Sequence, residues 1–415
     1  MLPTVHTTGE EQVPAAGWSA TTTPSSEGAS RDVRLFTRVG AAFTDAEWDR
    51  FCGDYEQIFT IFPSNGPLAL EDQRIKAIKA RNPGALLLSY ASALNTANLP
   101  IGRREILEQH PDWFLRDAQG EMIYDREFPL SFVTDPGNEE WRAFLAAACA
   151  TKVSTLGYDG IWLDLVQPVY YPMCNAPAIN PRSGGNYTDD EWREDQRVLA
   201  GQVKRAIGGD KVLLMNGAQA GTRYLHRNYP LLLDEADGVC FEGFVHGTGM
   251  AIDEFRPPEA WHDDLFALID AEQRGKLVQC FTKHKPEAGS AEQIERVVLY
   301  SFATFLLGKG PNCTFSVYCK TPGVGQIAPN CPIPALWRTP LGTPLGPHKE
   351  RNGVYVRYFV HALAAVNPTP NEQLLDLRGR WYTPLGQVVS TWRFSGNTGV
   401  VLFRSLEAMP QENSA

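Results

Sequence analysis

The segment DGIWLD, residues 159–164, decides the fold class, because its pattern recurs as DGVCFE at residues 237–242. Both segments begin with Asp-Gly, continue with three apolar residues and end in a carboxylate. A continuous apolar run bounded by Gly or Asp is typical of a strand that is buried on both faces. The two segments therefore predict two interior strands of a parallel sheet.

Six further apolar runs of the same kind lie around these two. They are VRLFTRVG (33–40), QIFTIF (57–62), ALLLSYAS (85–92), KVLLMNG (211–217), LVQCFT (277–282) and NCTFSVY (312–318). Helical segments separate the runs, and three of them begin with capping-box spacing, at Thr44, Thr188 and Ser290. Eight buried strands alternating with helices predict a (β/α)8 TIM barrel over residues 31–320. A doubly wound sheet, the competing fold, would need a ligand fingerprint that the sequence lacks.

The two ends of the chain differ from this pattern. Residues 1–30 are rich in Thr, Ser, Gly, Ala and Pro without periodicity, which predicts a disordered leader. Residues 321–347, with many Pro and Gly, are interpreted as a linker or a long loop at the barrel mouth. Residues 348–415 contain short β-type runs between turns and predict a small antiparallel β domain, similar to a sandwich.

Composition excludes several classes of protein. The 415 residues carry a net charge of −10, which argues against a nucleic-acid partner, and no apolar run reaches the length of a membrane span. No Cys/His spacing or His-Glu-x-x-His motif predicts a metal site, and no nucleotide fingerprint predicts a cofactor. The sequence leaves open whether Cys313, Cys319 or Cys331 forms a disulfide, with Cys174 as one candidate partner.

The acidic ends of the repeated segments are the candidate catalytic residues. By count the segments are strands four and six, and strand ends of equal parity in a barrel face one cavity at its C-terminal face. Asp164 and Glu242 would then form the carboxylate pair that cleaves a glycosidic bond. A lone strand-end acid is more often structural, and Asp159 and Asp237, at the opposite strand ends, are expected to be caps. Phe241 next to Glu242 suggests an apolar setting that keeps Glu242 protonated, with Asp164 ionised.

Other polar and aromatic residues follow the predicted strands, as a sugar site requires. The candidate substrate-binding residues at strand ends are Arg38, Tyr90, Trp162, Asn216, His246, Lys283, His284 and Tyr318. The long segment 95–140 adds Asp112 and Trp113 as a hydroxyl acceptor and a stacking platform. The alternative for Trp113 is that it only fastens this segment to the barrel rim.

Several longer motifs resemble those of a known family. HPDWFLRDAQGEMI (110–123), VTDPGNEEWRAFL (133–145), GYDGIWLDLV (157–166) and ADGVCFEGF (236–244) resemble hypothetical glycosyl hydrolase family fifteen, and the resemblance spans about residues 33–405. It implies a TIM barrel closed by a small β domain. By position in the related α-galactosidase-like barrels, it implies that Asp164 is the nucleophile and Glu242 the proton donor. Those barrels usually carry Asp at the end of strand six, so Glu242 departs from their pattern.

Together these features predict a glycoside hydrolase that acts on a polysaccharide or oligosaccharide without a cofactor. The alternative is a carbohydrate-binding barrel without turnover, which need not hold two carboxylates within about 5–10 Å. A phosphate-dependent lyase or isomerase ranks below both, because no glycine-rich loop follows strands seven and eight. The resemblance favours a secreted enzyme, whereas no signal peptide is readable at the N-terminus. The sugar, the linkage, the compartment and the oligomeric state stay open.

Overall fold

A computed structural model describes residues 33–40, 55–61, 68–96, 103–247, 249–284, 289–319 and 335–410. The residues from Arg31 to Ala415 form one compact unit. The predicted leader, residues 1–30, lies outside the described residues, as does the Thr44 capping box.

Eight parallel strands close into a barrel in the order β1 to β8, as the sequence predicted. The strands are β1 (Arg34–Gly40), β2 (Gln57–Ile61), β3 (Leu86–Ser92), β4 (Gly160–Asp164), β5 (Val212–Asn216), β6 (Gly238–Phe241), β7 (Leu277–His284) and β8 (Cys313–Cys319). The barrel closes where β1 pairs with β8, with Arg34 opposite Thr314. Each of the eight apolar runs therefore supplies one strand.

Helices surround this barrel. They are α1 (Leu68–Arg81), α2 (Arg103–Gln109), α3 (Glu139–Leu156), α4 (Asp189–Ile207), α5 (Gly221–His226), α6 (Pro230–Leu233), α7 (Pro258–Gln273) and α8 (Ala291–Gly308). Thr188 and Ser290 cap α4 and α8, and each makes the reciprocal capping box that its spacing predicted. A further four-residue helix, α9 (Ala335–Arg338), lies within the predicted linker 321–347.

The Asp-Gly start of β4 and β6 has a structural explanation. A Cβ at Gly160 would lie 1.9 Å from the Val212 carbonyl oxygen, and one at Gly238 would lie 2.6 Å from that of Leu277. Only glycine permits these strand-to-strand distances. The Asp before each glycine accepts a backbone N–H from a neighbouring strand, Asp159 from Leu87 at 2.7 Å and Asp237 from Leu213 at 2.8 Å.

Side chains of alternate residues fill the barrel interior, as the two-residue period of a strand requires. Phe36, Leu88, Trp162, Leu214 and Cys240 form this interior cluster. The indole N–H of Trp162 donates to the Gln279 amide oxygen at 2.9 Å, so the one polar atom of this ring is satisfied. The core below the strand ends is therefore packed.

An antiparallel sheet of six strands follows the barrel, which confirms the predicted β domain. Its strands are β9 (Lys349–Arg351), β10 (Val354–Tyr358), β11 (Ala362–Asn367), β12 (Gln373–Tyr382), β13 (Val388–Phe394) and β14 (Thr398–Phe403), in the order β13-β12-β14-β11-β10-β9. The sheet packs on α8, where a Cβ at Gly399 would lie 2.7 Å from the Ala303 Cβ. A second apolar cluster, with Trp381 and Phe394, belongs to the sheet alone.

Two further sequence questions are answered in part. Cys174 and Cys313 are free and buried, so no disulfide joins them, whereas the side chains of Cys319 and Cys331 lie outside the described part of the chain. In the described residues, no helix is both long enough and apolar enough to cross a membrane.

Candidate active site

Five consecutive strands, β3 to β7, place one polar side chain each at the C-terminal face of the barrel. The five residues, called the mouth cluster below, are Tyr90, Asp164, Asn216, Glu242 and Lys283. Each lies an even number of positions after an interior-facing residue of its own strand, such as Trp162 before Asp164 and Cys240 before Glu242. The two-residue period of the strands thus brings all five side chains into contact.

Asn216 joins the two predicted catalytic acids. Its Nδ2 donates to Asp164 Oδ1 at 2.8 Å and to Glu242 Oε2 at 2.7 Å. Because both bonds meet at one nitrogen, these two carboxylate oxygens are at most about 5.5 Å apart. The amide is 2 % exposed, so it forms the buried floor between the acids.

Asp164 is held by three donors. Besides Asn216, Tyr90 Oη donates to Oδ2 and the Leu165 N–H donates to Oδ1, each at 2.8 Å. Burial, and then the charge of Glu242, raise the pKa of Asp164 to about 6, against the lowering effect of these hydrogen bonds. The carboxylate is therefore fixed in position but titrates close to neutrality.

Glu242 has a different environment from the one that the sequence suggested. Its Oε1 lies 2.5 Å from Lys283 Nζ, in an ion pair whose side chains are 25 % and 15 % exposed, respectively. Phe241 and Phe244 pack in the outer core, between the barrel and its helices. Neighbouring residues of a strand point to opposite faces, so Phe241 cannot surround the Glu242 carboxylate. The expectation of an apolar setting was wrong, and the ammonium favours the ionised carboxylate.

The loops that follow β4, β5 and β6 contain backbone strain that sequence reasoning missed. Leu165, Gln219 and Val245 have φ angles of 61°, 55° and 64°, in the left-handed region that side chains other than glycine avoid. Buried Asp264 on α7 accepts the Val245 N–H at 3.0 Å, and Arg256 donates to the Val245 carbonyl oxygen at 3.1 Å. No motif in the sequence signals these conformations, because tertiary contacts impose them.

Three other predicted site residues lie too deep to contact a substrate. Trp162 is 2 % exposed and stacks under Tyr90, with ring centroids 5.8 Å apart. His246 is 1 % exposed, and its two ring nitrogens lie 2.6 Å from the Lys283 carbonyl oxygen and 3.0 Å from that of Ala251. His284 is also buried, at the end of β7. These predictions are corrected, because side chains near the strand ends also fill the barrel and fasten its loops.

In the segment 95–140, Trp113 fastens the chain to the barrel rim, which is the alternative of its two predicted roles. Trp113 is buried, stacks on His110 with centroids 3.8 Å apart, and donates to Glu140 Oε2 at 3.3 Å. It therefore fastens this segment to α3 and offers no stacking platform. Asp112 is exposed beside it, and its carbonyl oxygen accepts from Asn138 at the start of α3.

Two predicted residues, Arg38 and Tyr318, are described only by their backbone. Arg38 lies opposite Phe59 of β2, and Tyr318 lies opposite Lys283 of β7.

Among the described residues, no group of three His, Cys, Asp or Glu side chains forms a metal site. One cavity of about 520 Å³ lies beside α9, lined by Arg338, His361 and Glu407 among others, and no residue of the mouth cluster lines it.

Comparison with known proteins identifies the family. Residues 79–363 match the family model described as hypothetical glycosyl hydrolase family 15. The chain belongs to this family. The resemblance that the sequence motifs suggested is thereby confirmed, and family 15 membership supports glycosidase activity in general. No curated protein matches the chain.

Three solved structures with a similar fold have low sequence identity to this chain. A noncanonic maltogenic α-amylase, AmyB from Thermotoga neapolitana, is 13 % identical, with a TM-score of 0.54 over 90 % of this chain and 99 % of that one. An α-amylase from Anoxybacillus is 12 % identical, with a TM-score of 0.51 over 89 % of each chain. A pullulanase from Anoxybacillus sp. LM18-11, complexed with maltotetraose, is 11 % identical, with a TM-score of 0.52 over 88 % and 65 %. These likenesses confirm the fold of the family 15 chain, a (β/α)8 barrel with a C-terminal β domain.

Proposed function

We propose that this chain hydrolyses glycosidic bonds in an oligosaccharide or polysaccharide, with Asp164 and Glu242 as its two catalytic acids. The observation that carries the proposal is the single Asn216 amide that binds both carboxylates. Two acids that share a donor face one space, which is what cleavage of an acetal between sugars requires. Family membership supplies the reaction class.

We assign different roles to the two acids. Asp164, fixed by three donors, is suited to attack the anomeric carbon. Glu242 is assigned the donation of a proton to the leaving oxygen by its position on strand six, although the Lys283 ammonium favours its ionised form. In the second step Glu242 takes a proton from water, and the water oxygen displaces Asp164 from the sugar. The protein is thereby returned to its starting state.

The spacing of the acids favours retention of configuration. Retaining glycosidases hold their carboxyl groups about 5–5.5 Å apart, whereas inverting ones need about 6.5–9.5 Å to admit a water. The bound of about 5.5 Å between the oxygens on Asn216 fits the first class. It also argues against the non-catalytic alternative, a carbohydrate-binding barrel, which has no need of two acids at this distance.

A substrate panel tests the proposal. Purified protein is assayed on aryl glycosides, on α-glucans and on other polysaccharides, with Asp164→Asn as the blank. We expect at least one substrate to be cleaved by the wild type only, and NMR of the first product should show the anomeric configuration of the substrate. Turnover by Asp164→Asn at the wild-type rate would refute the role of this acid, and an inverted product would refute the nucleophile mechanism. Sugar binding without cleavage across the panel would favour the carbohydrate-binding barrel.

A further inference from the structure

Lys283 is oriented toward one of the two acids by the fold itself. Its Nζ lies 2.5 Å from Glu242 Oε1, and it lies 5.7 Å from the centre of the Phe281 ring on the same strand. The contact with the ring adds a cation–π attraction to the ion pair. The sequence predicted a substrate-binding role for Lys283, but the structure directs its ammonium to the Glu242 carboxylate.

His246 fixes the backbone of Lys283. The Lys283 N–H donates to the His246 carbonyl oxygen at 3.0 Å, and the His246 ring lies 2.6 Å from the Lys283 carbonyl oxygen. Since His246 is four residues beyond Glu242 on the loop after β6, this pair of contacts joins the two strand ends that carry the ion pair. These contacts therefore hold the two strand ends that carry the ammonium and the carboxylate next to each other.

Other titratable side chains lie around this ion pair. Asp164 on β4, Tyr90 on β3 and Cys240 on β6 are titratable side chains close to it. Burial raises the pKa of the Cys240 thiol well above its usual range, so the thiol stays neutral. The Asp164 charge opposes ionisation of Glu242, whereas the Lys283 ammonium favours it.

We propose that Lys283 is a positioning residue that sets the proton affinity of Glu242 and so determines where in the pH range the enzyme works. The inference rests on the proposed function, in which Glu242 must be protonated in the first step and ionised in the second. Lys283 stabilises the ionised form, which assists the second step and restricts the first step to lower pH. The alkaline limb of the kcat/KM profile then reports the loss of the Glu242 proton.

The test compares Lys283→Met, which removes the charge, with Lys283→Arg, which keeps it. Lys276→Met is the matched control, because Lys276 precedes the same strand and its Nζ donates to the Ala236 carbonyl oxygen at the opposite face of the barrel. We expect Lys283→Met to move the alkaline limb upward by about one pH unit or more, as loss of a neighbouring opposite charge does. Lys283→Arg and Lys276→Met should leave the limb within about 0.3 unit of wild type.

A second measurement keeps this inference independent of turnover. The ¹³C carboxyl signal of Glu242, identified by its absence in Glu242→Gln, is titrated in the wild type and in Lys283→Met. A titration midpoint that rises in Lys283→Met supports the inference even if no substrate is found. Equal midpoints in the two proteins would overturn it. If the acidic limb of the kcat/KM profile moves upward instead of the alkaline limb, Lys283 acts on Glu242 as inferred, but Glu242 is the nucleophile. That result would refute the proposed roles of the two acids and leave the inference about Lys283 intact.

Discussion

The two faces of the barrel carry the same residue types on the same two strands, yet the faces differ in their chemistry. At the N-terminal face, Asp159 pairs with Lys79 of α1, and Asp237 pairs with Lys204 of α4 at 2.7 Å. At the C-terminal face, Asp164 and Glu242 share the Asn216 amide, and Lys283 pairs with Glu242. The acids of the N-terminal face are separately neutralised, whereas those of the C-terminal face are held against each other.

This difference shows how to separate a structural acid from a candidate catalytic one. Each acid of the N-terminal face has its own ammonium and its own backbone N–H, so its charge is balanced where it lies. Asp164 accepts hydrogen bonds from Tyr90, Leu165 and Asn216, none of which is a cation, and its pKa is raised to about 6. A carboxyl that stays poorly compensated while its geometry is tightly fixed is typical of a functional site.

The largest expected effect is on activity. Asp164→Asn and Glu242→Gln should each lower kcat/KM by at least about 10³-fold on substrates with poor leaving groups, because each removes a group that acts at the reacting bond. Asp159→Asn and Asp237→Asn, as controls, should stay within about threefold of wild type when folded. Steady-state assays of the four variants decide this. A similar loss of kcat/KM in the variants of both faces would mean that the acids of the two faces do not differ in function.

The next effect concerns the pH dependence of stability. Because the folded pKa of Asp164 is raised to about 6, the protonated form contributes stability below pH about 4 that is lost as the pH rises through 6. The free energy of unfolding of Asp164→Asn, measured relative to wild type, should therefore rise by about 2 kcal/mol between pH 4 and pH 7. Urea denaturation at both pH values measures this. In Glu242→Gln the dependence should shrink, since the neighbouring charge is gone. A difference in unfolding free energy between Asp164→Asn and wild type that does not change with pH would contradict the raised pKa of Asp164.

The smallest effect is on the stability of the N-terminal face. Asp237→Asn should lower the free energy of unfolding by about 1–2 kcal/mol, because a charged hydrogen bond to the Leu213 N–H and the Lys204 ion pair are both weakened. Asp159→Asn should cost a similar amount, and the two losses should add, since the contacts involve different partners. Guanidinium denaturation of the two single variants and the double variant tests this. An unchanged midpoint in all three would mean that these acids do not stabilise the barrel.

Much of the barrel followed from local sequence pattern. Eight apolar runs predicted eight strands, and the boxes at Thr188 and Ser290 predicted two helix starts, because burial period and capping act over a few residues. The position of Asp164 and Glu242 at equivalent strand ends also predicted that they share a space. Asn216 was predicted as a residue of the site, although its role as a bridge between the two acids was not.

Tertiary structure decided the rest. Whether Glu242 contacts phenyl rings or Lys283 depends on the direction in which its side chain points and on which strand lies next to β6. A single sequence does not show which distant segments lie next to each other. The burial of Trp162 and His246, and the left-handed backbone at Val245, likewise arise from contacts with β7 and α7. Short-range periodicity determined which segments are strands and which strand ends carry an acid. Long-range packing alone determined which side chains and charges surround each acid.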